Sequence, residues 1–227
     1  MLSFIREAIS GELNIIDVIT YFAAICFMIF CATPLHEFAH ARVAVALGDD
    51  TPLLRGRVTI NPMAHISPMG ALMLFLFGFG YAKPVEVRAR KFKKPKRDMV
   101  LVAIAGPLCN LLQAVVYIFL YVLIYRFLNF NNPVVYASCY FFLYAAVINV
   151  NLAVFNFIPI PPLDGSRVLT AVLPAKYYFK LMQYERYIYI ALMVLLFTGI
   201  LSTPLSFISS AIIEGLLHLI SLPFGLA

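Results

Sequence analysis

Five apolar runs, at about 15–34, 99–128, 133–157, 187–202 and 204–222, constrain what this chain can fold into more than any other feature. Each comes near the ~20 residues that a helix needs to cross the hydrocarbon layer of a bilayer. A helix at the edge of a soluble core shows a polar face at helical period; residues 111–125 and 188–201 show none. Lipid offers no partner to a backbone N–H or C=O, so such runs are expected as helices that satisfy those groups internally. A sixth run, 69–79, is too short to cross and reads as a re-entrant or tilted helix. The expected fold is a polytopic α-helical membrane protein with about 4–6 transmembrane helices. With 63% hydrophobic and 12% charged residues, a soluble domain of ordinary composition is excluded. We expect one integral-membrane domain over 1–227, with a core at about 30–170 and C-terminal transmembrane helices at about 177–222.

The net charge of +6 is concentrated. Eight Lys or Arg lie between Lys83 and Arg97 against the single Glu86, the signature of a cytosolic loop under the positive-inside bias. Phe92 is the one aromatic in that cluster and membrane segments flank it, which favours contact with anionic headgroups over nucleic acid. Cys26, Cys31, Cys109 and Cys139 fall in apolar stretches without a C-x-x-C spacing and read as small buried hydrophobes. Arg6, Glu7, Glu12 and Asp17 precede or open the first apolar run, so an uncleaved N-terminus is expected.

Chemistry enters with Pro34-Leu35-His36-Glu37-Phe38-Ala39-His40, an H-E-x-x-H inside one of the most apolar stretches. On a helix, His36 and His40 lie one turn apart on the same side and can bind one zinc ion, with Glu37 as general base. Two histidines capping a helix end at the interface would be the structural alternative.

The second focus is Asn156-Phe157-Ile158-Pro159-Ile160-Pro161-Pro162-Leu163-Asp164-Gly165. Three prolines in four positions end the preceding helix. Broken backbone at membrane depth is tolerated where protein buries it or a polar cavity receives it, and a carboxylate there needs a partner. Asp164 has the chemistry of a third zinc ligand, leaving a fourth tetrahedral position for water. Asp164-Gly165 as an interfacial turn and helix cap is the competing reading. Two short stretches, Arg57-Val58-Thr59-Ile60 and 81–90, have glycines and prolines at their borders. Val85 and Val87 alternate with Glu86 and Arg88, so a small membrane-associated β-sheet or hairpin near the zinc site is expected, with Pro84 marking an edge strand.

H-E-F-A-H at 36–40, N-P-M-A-H at 61–65, G-P-L-C-N at 106–110 and the proline-rich run at 156–165, in that order, resemble the site-2 protease family of intramembrane zinc metalloproteases. The likeness spans about 30–170 and is to the short prokaryotic members without an appended soluble domain. It implies one Zn²⁺ held by His36, His40 and Asp164, water activated by Glu37, and a carbonyl or oxyanion steadied by Asn156. His65 would be a hydrogen-bond donor behind the ligands, an oxyanion partner or a structural histidine; His218 reads as structural. Short members often carry Asp where this chain has Ser67, which leaves no acidic role there. The implied substrate is a transmembrane protein or a signal-peptide remnant, unwound locally in the lipid bilayer and paired by strand addition near Val85. The implied location is a prokaryotic plasma membrane, with the active site toward the cytosol. An ion transporter, which often shows internal repeats, would have no use for Glu37, and a non-catalytic binder of the same fold would be expected to lose it or a ligand.

Overall fold

The computed structural model describes residues 14–77 and 83–225. Helix α1, Ile15–Phe27, starts at Asn14, whose side chain accepts the Ile16 N–H while Asp17 accepts the Asn14 N–H. A π-helical turn, Met28–Ala32, leads without a break into α2, Thr33–Ala46. The short run forms α3, Pro68–Phe77; residues 78 and 79 of the expected run lie outside the described residues. Helices α4, Pro95–Phe127, and α5, Pro133–Phe157, form the centre of the bundle; α5 is capped by Asn132, whose side chain accepts the Val134 N–H. Then follow α6, Ala175–Gln183, α7, Glu185–Phe197, and α8, Ser202–Ser221.

Among the described residues, four helical stretches are long and apolar enough to span a bilayer: Ile15–Ala46, Pro95–Phe127, Pro133–Phe157 and Ser202–Phe224. The run at 187–202 yields the 13-residue α7, about 20 Å of helix, which is less than a crossing. The central contact is α4 on α5, where Ala114, Ala145 and Ala146 bring the backbones close and Ile118, Val122 and Val150 fill the seam. Leu205, Ile212 and Leu216 of α8 pack on the same cluster. The apolar residues exposed on the outside, Leu112, Val116, Ile190 and Phe207 among them, form a surface suited to lipid. Of the cysteines, Cys139 is buried as expected; Cys26 and Cys31 face outward and Cys109 is half-buried, a correction to the sequence reading.

The expected β-sheet is absent: among the described residues there is no strand. Residues 83–88 have no regular secondary structure, but Val85 is buried, Val87 packs beside Ala44, Phe92 and Val102, and Arg88 is extended, so the alternation reported half-burial and not a sheet. Its N–H groups go elsewhere. Lys83 donates to the His65 carbonyl (2.7 Å), Val85 to the Glu37 carboxylate (3.2 Å) and Arg88 to the Asp49 carboxylate (2.6 Å). In 57–60, Thr59 is engaged by His65 and by the Asn61 N–H. The Glu37 and Asp49 carboxylates and the His65 carbonyl thus take the donors that a ladder would have used. Residues 81 and 82 of the expected second strand lie outside the described residues.

Candidate metal centre

Helix α2 carries His36, Glu37 and His40, all buried. His40 Nδ1–H donates to the Val102 carbonyl of α4 at 2.7 Å. A carbonyl can only accept, so this bond fixes the tautomer and leaves the Nε2 lone pair free to bind a cation. Pro107 lies inside α4; it supplies no N–H to Ala103 and opens the helical ladder beside the Val102 carbonyl that His40 uses. Gly106 lets α4 approach the imidazoles. A Cβ at this position would fall 2.3 Å from His40 Nε2 and 2.6 Å from His36 Nε2.

The third group comes from the broken end of α5. Ile160, Leu163 and Ser166 donate their N–H groups to Ile158, Ile160 and Leu163, so this proline-rich stretch satisfies its backbone by tight local turns. Gly165 folds it back onto the helix end, since a Cβ there would lie 2.4 Å from the Phe157 carbonyl oxygen and 2.6 Å from that of Ile158. Asp164 thereby reaches the histidines.

His36 Nε2 and His40 Nε2 lie 3.0 Å apart, and each is 3.1 Å from Asp164 Oδ2. One proton can bridge only two of three such atoms; one cation serves all three. Zinc with ligands at about 2.0–2.1 Å in a tetrahedron holds them roughly 3.3 Å apart, close to the triangle seen. Two imidazoles and a carboxylate also match the donor preference of zinc, so the residues present fit the ion.

Beside the triangle is a cavity of about 410 Å³, within the usual range for ligand sites, whose wall includes His36, Glu37, Asn110, Asn156 and Asp164. Glu37 Oε2 accepts the Val85 N–H, which leaves Oε1 for another partner. His65 is not in this wall. It is fully buried, and its Nε2 donates to the Thr59 carbonyl at 2.7 Å, tying together the turn at 59–65. Farther out, burial alone would raise the Asp49 carboxyl, but hydrogen bonds from Arg88 N–H and Thr51 N–H, with nearby Lys91, hold it below the usual carboxylate range. Reading the sequence for side-chain chemistry missed Gly106, the Val102 carbonyl and the Val85 N–H. A Gly-Pro pair inside an apolar run was the available signal for the first two.

The profile of peptidase family M50 matches residues 22–201. The chain belongs to this family. M50 is the site-2 protease family, so the resemblance read from the four motifs stands. YwhC and Rip2, both curated relatives, carry the name "Putative zinc metalloprotease". YwhC of Bacillus subtilis (strain 168) is 40% identical over 165 residues, 72% of this chain and 75% of that protein. Rip2 of Mycolicibacterium smegmatis is 32% identical over 136 residues, 58% of this chain and 50% of Rip2. "Zinc metalloprotease MJ0392" of Methanocaldococcus jannaschii is 27% identical over 168 residues, 73% of this chain but 39% of that protein. No solved structure matches the chain.

Proposed function

We propose that this M50 peptidase is an intramembrane zinc metalloprotease that hydrolyses peptide bonds within or near the transmembrane segments of membrane proteins. The observation that carries the reading is the triangle of His36, His40 and Asp164 beside Glu37, at the wall of a cavity within a bundle of membrane-spanning helices. His36, His40 and Asp164 would hold Zn²⁺, and when bound the ion acidifies water and polarises a carbonyl.

The remaining steps belong to the chain's own groups. Glu37, pinned at Oε2 by Val85, takes the proton of the attacking water through Oε1 and passes it to the leaving amine. Asn156, in the same wall, donates to the oxygen that gains charge, a bond worth roughly 3 kcal/mol where water is excluded. His65 acts from outside the cavity by holding the turn at 59–65 in place.

A substrate that spans the bilayer arrives as a helix whose carbonyls are already hydrogen-bonded, so it must unwind locally before water can attack. Transmembrane proteins and signal-peptide remnants both meet that description. We place the site toward the cytosolic side of a prokaryotic plasma membrane, supported by the eight basic residues from Lys83 to Arg97 that follow α3. The domain reading, one unit whose C-terminal helices complete the catalytic core, is supported by the packing of α8 on α4 and α5.

The test is cleavage of a transmembrane substrate by the full chain in vesicles. Cleavage that a zinc chelator stops and added zinc restores is the expected result; cleavage indifferent to the chelator contradicts the reading. A reporter fused at Lys93 should map to the cytosol, and an external signal would reverse the orientation.

A further inference from the structure

The motif G-P-L-C-N at 106–110 ends in an asparagine that the chemistry above leaves unused. Asn110 is 2% exposed, yet it forms part of the cavity wall with His36, Glu37 and Asp164. It lies four residues beyond Gly106, on the same face of α4 and one helical turn, about 6 Å, along the axis from where that helix meets the imidazoles.

Two further polar side chains continue this stripe, Gln113 and Tyr117, both buried in an otherwise apolar helix. Tyr117 donates its hydroxyl to Gln113 Oε1 at 3.2 Å. Gln113 Nε2 lies 3.5 Å from both the Ala32 carbonyl and Asn110 Oδ1. The Ala32 carbonyl can only accept and the Tyr117 hydroxyl donates to the other end, so the Gln113 amide has one orientation. Asn110 therefore turns its oxygen to Gln113. Its Nδ2 has no acceptor among the described residues and is the end left for the cavity.

Polar groups inside a membrane bundle are expensive and mark function more often than packing. This relay spends three of them to aim one N–H donor into a cavity whose nearest charged groups, Glu37 and Asp164, only accept. An unwound substrate brings main-chain carbonyls that have lost their helical partners. Resting on the protease reading, we infer that Asn110 is a substrate-binding residue that donates from Nδ2 to a main-chain carbonyl of the unwound segment. Asn156 serves the reacting carbonyl and Asn110 a second one. Gln113 and Tyr117 are positioning residues that set the Asn110 amide.

The experiment compares the full-length wild type with Asn110→Leu, close in size and apolar, in vesicles with the same transmembrane substrate. KM should rise about 10-fold with kcat within about 3-fold, since a bond made equally in ground and transition states acts on KM. Zinc per chain and melting temperature should match the wild type. A peptidyl hydroxamate should bind about 10-fold more weakly, while a small chelator without peptide groups inhibits equally. Tyr117→Phe removes one hydroxyl and little packing; its KM should rise about 3-fold at an unchanged melting temperature. Unchanged KM and hydroxamate binding in Asn110→Leu would overturn the inference and leave the protease reading intact. Loss of folding in Asn110→Leu, together with an unchanged KM in Tyr117→Phe, would overturn it equally. Chelator-insensitive cleavage by the wild type would instead remove the protease reading and this inference with it.

Discussion

Replacing Gly106 by alanine should weaken zinc binding without touching any residue proposed to bind the ion. The added Cβ would meet His40 Nε2 at 2.3 Å and His36 Nε2 at 2.6 Å, whereas ordinary contact begins at 3.4 Å. The two imidazoles must therefore retreat by about 1.1 and about 0.8 Å, or α4 must move away by as much, against a tolerance of about 0.2 Å in metal–ligand distance. Movement of α4 gives no escape, because Val102 on that helix orients His40. Lost second-sphere contacts alone weaken metal binding 10–100-fold, so displaced ligands should weaken it by at least about 100-fold. Cleavage should fall by about as much or more, as expected for reacting groups about 1 Å out of place. The assay is zinc competition with a chromogenic chelator on detergent-purified protein, followed by cleavage in vesicles. Gly215→Ala is the matched control, since nothing lies within 4 Å of the Cβ it would add. Gly106→Ala with wild-type zinc affinity and cleavage would refute the packing argument.

The same reasoning applies to Gly165→Ala, whose Cβ would strike two carbonyl oxygens at the end of α5; it should lower both melting temperature and zinc occupancy, measured on one preparation. Glu37→Gln should keep its zinc and lose about 10²–10⁴-fold in kcat, and near-normal turnover would exclude Glu37 as the base. The Asp49 carboxyl is held below its ordinary value in the folded chain, so the stability it adds is complete above the unfolded value near 3.9. That stability disappears as pH falls through the lower folded value. Amide exchange in 85–92 should stay slow at about pH 5, speed up below about pH 4, and show no such step in Asp49→Asn.

Much of this site was legible because zinc chemistry restricts both residue type and spacing. H-E-x-x-H placed two candidate donors and an adjacent carboxylate on one helix, and the proline-rich break before Asp164 pointed to sheltered backbone with a third candidate donor, beside the competing reading of a turn and helix cap. The structure brings these groups and Asn156 to one cavity and leaves His65 outside it. The β-sheet failed for a physical reason. Period-two burial at Val85 and Val87 reports a half-buried segment, but it does not say what accepts its N–H groups. Glu37 and Asp49 do so here, and neither contact leaves a trace in the local pattern. Gly106 stood out as part of the Gly-Pro pair in G-P-L-C-N, but which groups it approaches is a tertiary fact that the pair does not name. Helix α7 shows the limit of reading length from hydropathy: the apolar run continued past Phe197, but the helix stopped and the chain turned through Gly199 at φ 76°.

Zinc per chain is the most direct measurement, because it needs no knowledge of the substrate. Elemental analysis of detergent-purified protein should find about one zinc in the wild type and in Glu37→Gln, and almost none in Asp164→Ala. A wild type that holds no zinc, even after the ion is supplied, or an Asp164→Ala variant that retains it fully, would contradict a metal centre built from His36, His40 and Asp164.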